Sequence, residues 1–210
     1  MELWERLEEV HARWDVLAHP FYRRWSAGEL TTGELASYAG QYRHAVFALA
    51  RASEDAAHVA AGEDALELAA HAKEEAAHVG LWDGFVRAVS GDVDAAPTPE
   101  TRACAHAWAR PERALPATLV ALYAIESAQP AIAETKRAGL RAHYGIDDVS
   151  ATAYFDVHVQ RDREHAASGR RLLEARLDGA DAGALVAEAE AVLRANWRLL
   201  NGVERVTNAT

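Results

Sequence analysis

The octapeptide HVQRDREH sets His158, Asp162 and His165 at offsets of 0, 4 and 7. A helix carries residues so spaced on one side over two turns. Two imidazoles and a carboxylate in that register can ligate a metal ion, and a solvated polar stripe would use the same residues. EEAAH, residues 74–78, offers a second set, with Glu74 and His78 at i, i+4 and Glu75 and His78 at i, i+3. Either pair can chelate one ion from a single helix, as Glu-x-x-His motifs do in carboxylate-bridged bundles. Glu126 is the third, within LVALYAIESAQPAIA. Leu119, Leu122, Tyr123 and Ile125 make its surroundings read as buried, and a buried carboxylate is costly unless paired or bound to a metal. Glu74, His78, Glu126, His158, Asp162 and His165 together supply three carboxylates and three imidazoles. That set neutralises most of the charge of two divalent ions and leaves positions open for oxygen or solvent.

The elements that must position these groups read as helices throughout. Leu3, Leu7, Val10 and Trp14 form a helical stripe, after which Pro20 and Gly28 interrupt the pattern. Thr31 or Thr32 can cap the next helix, with Glu34 in its first turn, and that helix is expected from Glu34 to about Ala50. A long helical segment spans residues 61–89, and SGDVDAAPTPE is the clearest loop. From Pro116 a helix runs toward Gly145, kinked or broken at Pro130. Two further helical stretches cover residues 150–177 and 182–206. No stretch alternates with a period of two, and no linker divides the chain. The expectation is an all-α bundle forming a single domain over residues 1–210.

Composition narrows the function. With 32 acidic against 22 basic residues the net charge is -10, which opposes nucleic-acid binding in the absence of a basic patch. No apolar run approaches the roughly 18 residues that span a bilayer. MELWERLEEVHARW lacks the apolar centre of a secretory signal, so a cytoplasmic protein is expected. Cys104 is the only cysteine, which excludes an intrachain disulfide and a thiolate cage. Any metal must be held by His, Asp and Glu, a set suited to iron, manganese or zinc.

Four motifs carry a family resemblance. They are HPFYRRWSAGELTTGELASYAGQY (residues 19–42), EEAAHVGLW, YAIESAQPAIAETKRAGL and YFDVHVQRDREHA. In this order and spacing, from His19 to Ala166, they resemble the haem-oxygenase-like di-iron oxidases, and most closely the CADD-type para-aminobenzoate synthases. The resemblance implies a TenA/PqqC-like helical fold. It implies a pair of metal ions, Fe/Fe or Fe/Mn, used with dioxygen and an external reductant. It carries the family's metal ligands onto Glu74, His78, Glu126, His158, Asp162 and His165. Related sequences often separate the first Glu and His by six residues, whereas Glu74 and His78 have three between them, so the first ligand can shift to Glu75.

The same resemblance implies an unusual substrate. An internal tyrosine is excised to become the benzoate ring and an internal lysine gives up its amino group; these positions fall on Tyr22 and Lys136. Tyr38 and Tyr42 match further aromatic positions and can relay an oxidising equivalent or simply pack. Each chain would then turn over once. A homodimer is common among proteins of this fold. The rival readings are a di-iron oxidase acting on a free amino acid or fatty acid, a TenA-type thiaminase, and a helical regulator without enzymatic activity. The thiaminase needs a cysteine near the central helix, and residues 114–145 contain none. The regulator leaves six ligand-type residues without a purpose.

Overall fold

The computed structural model describes residues 2–207. Among them are nine α-helices and no strand: α1 (Leu3–Arg13), α2 (Pro20–Ala27), α3 (Thr32–Val59), α4 (Glu63–Ala88), α5 (Pro99–Trp108), α6 (Leu115–Glu126), α7 (Gln129–His143), α8 (Val149–Glu174) and α9 (Ala182–Thr207). A 3-10 turn, Val16–Ala18, joins α1 to α2. No helix among the described residues is long and apolar enough to cross a membrane.

Local chemistry sets most of the boundaries. α3 begins in a capping box in which the Thr31 hydroxyl accepts from the Glu34 amide and the Glu34 carboxylate accepts from the Thr31 amide. This helix runs well beyond the expected Ala50, because Ala52, Ser53 and Ala56 continue its buried face. The Pro20–Gly28 stretch, expected only as an interruption, is a helix of its own. Pro20 occupies its first turn, where a missing N–H costs nothing, and Gly28 closes it at φ +72. The expected break before Pro130 is present: α6 stops at Glu126 and α7 restarts at Gln129.

Two glycines allow the approaches on which the interior depends. A Cβ on Gly84 of α4 would lie 2.5 Å from the Ser150 carbonyl oxygen at the start of α8. A Cβ on Gly139 of α7 would lie 2.5 Å from the Trp25 indole of α2. Trp25 can therefore lie flat enough on α7 for its Nε1–H to donate to the Lys136 carbonyl at 3.1 Å. Gly139→Ala is expected to destabilise the fold by about 1–3 kcal/mol through overpacking. Urea unfolding checks this; an unchanged midpoint would mean that Trp25 yields freely.

Candidate metal centre

α4 buries Leu68, Trp82 and Phe85, and the three-and-four spacing that joins them passes through His71, Glu75 and His78. α8 does the same from Phe155 to Leu172 through His158, Asp162 and His165. Polar side chains thus occupy positions that periodicity assigns to the core. The two helices run antiparallel, so His71 meets His165, with ring centroids 4.2 Å apart, and His78 meets His158 at 4.5 Å. α6 ends where Glu126 can reach the same seam, its Oε1 lying 2.7 Å from His71 Nε2.

The donor atoms form two groups that share Glu75. One atom each from His71, Glu75, Glu126 and His165 lie within 4.8 Å of one another, and so do atoms of Glu75, His78 and His158. Asp162 stands beside them, its Oδ1 3.7 Å from His165 Nδ1. Glu75, Glu126, His158 and Asp162 are each 1% exposed.

Whether these residues fit metal ions is decided by their unmet polar atoms. His71 Nε2, both Glu75 oxygens, His78 Nδ1, Glu126 Oε1, His158 Nε2, both Asp162 oxygens and His165 Nδ1 are buried without a hydrogen-bond partner. Each such atom costs about 1–3 kcal/mol if left unsatisfied. Several are close yet misaligned for N–H···O bonding, as expected of lone pairs that converge on a common point. The outer ring nitrogens agree. His158 Nδ1 donates to the Tyr154 carbonyl at 2.7 Å, which leaves the Nε2 lone pair facing the cluster. His165 Nε2 donates to Glu74 Oε2 at 3.1 Å, which leaves Nδ1 facing inward. Such outer partners fix the tautomer and orientation of a metal-binding histidine. The residues fit a pair of cations.

Electrostatics point the same way. Burial opposes charge on His71, but Glu126, with Glu75 and Asp162 behind it, outweighs that and holds the ring up to about 9. Burial raises the Asp162 carboxyl, helped by the charges of Glu126 and Glu75. The cluster attracts positive charge, as protons or as cations.

The ligand-type residues expected from the sequence are not all gathered here. Glu74 points away and makes a bidentate pair with Arg161, with distances of 2.6 and 3.1 Å, and its side chain is 34% exposed. Glu75 stands in the cluster instead. His71 was not anticipated, although HAKEEAAH repeats the same 0, 4, 7 offsets as HVQRDREH. It also sits seven residues before His78, the separation noted for related sequences, where the first ligand is Glu. A cavity of about 230 Å³ opens beside His71, Glu126 and His165, with Leu119, Leu122 and the Glu74–Arg161 pair in its wall.

Tyr22, Tyr38, Tyr42 and Lys136 meet in a second buried site. Lys136 Nζ lies 5.5, 5.4 and 4.5 Å from the centroids of the three tyrosine rings and 5.3 Å from that of Trp82. The Tyr22 and Tyr38 hydroxyls hydrogen-bond at 2.8 Å, and Gln129 Nε2 donates to the Tyr42 hydroxyl at 3.2 Å. Burial holds the Tyr22, Tyr38 and Tyr42 phenols well above their usual range. Burial also pushes Lys136 down to about 7. Among the described residues no carboxylate forms an ion pair with it, and the ring faces offset only part of its lost hydration. Trp82 joins the two sites. It is 5.0 Å from Tyr42 on one side and 4.7 Å from Tyr154 on the other, and Tyr154 stacks on His158 at 3.9 Å. Cys104 is buried and its thiol is pushed up, as suits a packing residue rather than a nucleophile.

Helices wrapped around a buried histidine and carboxylate cluster define a haem-oxygenase-like helical protein. Its fold is shared with a domain of unknown function from Shewanella denitrificans (TM-score 0.78, 19% identity, covering 99% of this chain and 94% of that one). A TenA homolog from Pseudomonas syringae also shares it (TM-score 0.83, 15% identity, 97% and 91%). Residues 65–197, which hold all seven clustered side chains, match the model of the iron-containing redox enzyme family, and the chain belongs to that family. Curated relatives include the 4-aminobenzoate synthase of Chlamydia muridarum, 32% identical over 186 residues, covering 83% of this chain and 78% of that one. The 4-aminobenzoate synthase of Nitrosomonas europaea is 28% identical over 209 residues, covering 90% and 85%.

Two outcomes test these geometries. His71→Ala or Glu75→Ala should abolish loading of at least one of two metals per chain, whereas Glu74→Gln should keep both while weakening affinity by about 10–100-fold. Metal analysis after dialysis against a graded chelator checks this; full loading of the Glu75 variant would exclude the cluster as the binding site. For Lys136, both folded and unfolded chains carry the proton below about pH 7, so the cost of burying the ammonium is then fully present. Between about 7 and the ordinary 10.5 only the unfolded chain keeps that proton, so this group makes stability rise with pH. Lys136→Met should be more stable than the parent at pH 6, by a margin that shrinks by pH 9, as read by urea unfolding at both values.

Proposed function

We propose that this protein forms para-aminobenzoate from its own Tyr22, with Lys136 as the amino donor, by means of a dinuclear metal centre, dioxygen and an external reductant. The observation that carries this reading is the burial of the Lys136 amine among the rings of Tyr22, Tyr38 and Tyr42. The names of the curated relatives support it. So does membership of an iron-containing redox family.

His71, Glu75, Glu126 and His165 would hold one ion and Glu75, His78 and His158 the other, with Asp162 within reach of both. When bound, iron with iron or manganese supplies oxidising equivalents from dioxygen. The chain's own residues then set where the oxidation falls. Tyr154, Trp82 and Tyr42 form an unbroken aromatic contact from His158 to the rings around Lys136. Tyr22 is a neutral phenol, so it loses an electron readily only if its proton leaves as well. Its hydroxyl shares a hydrogen bond with that of Tyr38, itself a neutral phenol and no base, so the proton would pass to the free amine of Lys136, which at about 7 can release it again. Lys136, near 7, carries a substantial fraction of free amine, which is the form that can attack an oxidised ring. Trp25 and Phe21 pack around Tyr22 and exclude water that would compete with the amine.

A second reading rests on the cavity beside His71, Glu126 and His165, which could admit a small free substrate to the metal centre. One experiment separates the two. Protein purified without oxygen and loaded with iron, with or without manganese, is exposed to dioxygen and a reductant. Metal content, para-aminobenzoate and intact mass are then recorded together. At most one product per chain should appear, with a matching loss of mass at Tyr22, and Tyr22→Phe should keep its metals but form none. Product from a chain of unchanged mass would sink the self-consuming reading; oxygen uptake without product would favour a free substrate.

A further inference from the structure

A cavity of about 290 Å³ lies among α1, the 3-10 turn, α5, α6, α7 and α9, just under the range for small-molecule sites (~300–1,000 Å³). Its wall is largely apolar and aromatic, with Trp14, Trp108, Ile125 and Ile132. Besides Asp15 and His11, whose Nε2 lies 3.1 Å from the Ser127 hydroxyl, two polar features break that surface. Asn196, only 6% exposed, lines the cavity with an Oδ1 that has no hydrogen-bond partner. α7 begins there without a side-chain cap, and Ala128 and Ala131 of its first turn form part of the wall. The first amides of a helix have no partner within it, here those of Gln129 and Ala131 because Pro130 has none, and that end carries a partial positive charge suited to a carboxylate. The carboxylate in the wall, Asp15, is engaged with the Leu17 amide at 3.0 Å.

The position of the cavity matters as much as its chemistry. Trp108 stands edge-on to Tyr42, with ring centroids 6.3 Å apart, and Ile132 is one turn before Lys136 on α7. A single layer of side chains separates the cavity from the lysine box. We propose that this cavity binds a small aromatic carboxylate bearing an amine, the carboxylate held at the start of α7 and the amine donating to Asn196 Oδ1. On the function proposed above, from which this identification follows, the ligand is the reaction's own product, held beside the place where it forms.

The test is calorimetric titration of para-aminobenzoate, benzoate and aniline into the metal-loaded full chain kept free of oxygen, so that no turnover occurs. Para-aminobenzoate should bind one per chain, with benzoate and aniline each at least tenfold weaker. Asn196→Leu should bring para-aminobenzoate down to the level of benzoate and leave benzoate unchanged. Ala131→Phe, at an exposed position on the cavity wall, should block all three, and an unaltered thermal melt shows that this variant folds. The assignment is overturned by the absence of binding, by binding indifferent to both variants, or by aniline binding as tightly as para-aminobenzoate. Product formation on admitting oxygen is scored separately. A chain that binds para-aminobenzoate but never makes it overturns the function and keeps the site; one that makes it without binding it does the reverse.

Discussion

Three carboxylates, Glu75, Glu126 and Asp162, are buried in one seam between α4, α6 and α8, and the structure around them answers to that charge. Burying an ion costs several kcal/mol even after relaxation, and a whole domain is stable by only about 5–15 kcal/mol. Such a cluster persists only with positive charge among its members. Four imidazoles surround it, and the raised His71 is how the chain balances that charge with protons. Two divalent ions would balance it more completely and would also give the inward-facing lone pairs a common target. The long helices then have a clear purpose. α4 and α8 hold three ligand-type residues each in matching registers, and Gly84 lets the pair close.

Much of this was legible in the sequence, and the part that was not has a definite cause. The 0, 4, 7 pattern of His158, Asp162 and His165 could be read because Tyr154 and Phe155 mark the buried face immediately before it. The helix-break-helix over residues 115–143 was legible from Pro130, and the start of α3 from Thr31 and Glu34. The same pattern in HAKEEAAH was obscured by alanine, which packs inward or faces water with little preference and so leaves no apolar stripe to choose between Glu74 and Glu75. Continuing the stripe of Leu68, Trp82 and Phe85 through the gap would have selected His71, Glu75 and His78. Glu74, one position off that line, instead pairs with Arg161, a long-range contact that no local spacing encodes.

The lysine box was less legible still. By local pattern Lys136 is a helix-surface cation, next to Arg137 and five residues before Arg141. Its burial follows from tertiary contacts: α2 lies on α7 because Gly139 leaves room for Trp25, and that brings Tyr22 over the lysine. Only the family resemblance linked Tyr22 with Lys136, and packing supplies the physical reason for the link.

The two sites depend on opposite solutions to the same problem of burial. The metal cluster gathers counter-charges, whereas Lys136 is given none. Had an acidic side chain been placed beside Lys136, the ammonium would have been stabilised and its amine lone pair tied up by a proton. Rings alone offer a cation some compensation without holding the proton in place. The amine is thereby left near 7, at a cost in stability that a purely structural lysine would have no reason to impose. On the proposed function, a group kept destabilised in this way beside a phenol that cannot ionise alone is one prepared for chemistry at Tyr22. On that function, the aromatic contact through Trp82 and Tyr154 would let the chemistry lie apart from the seam between α4 and α8.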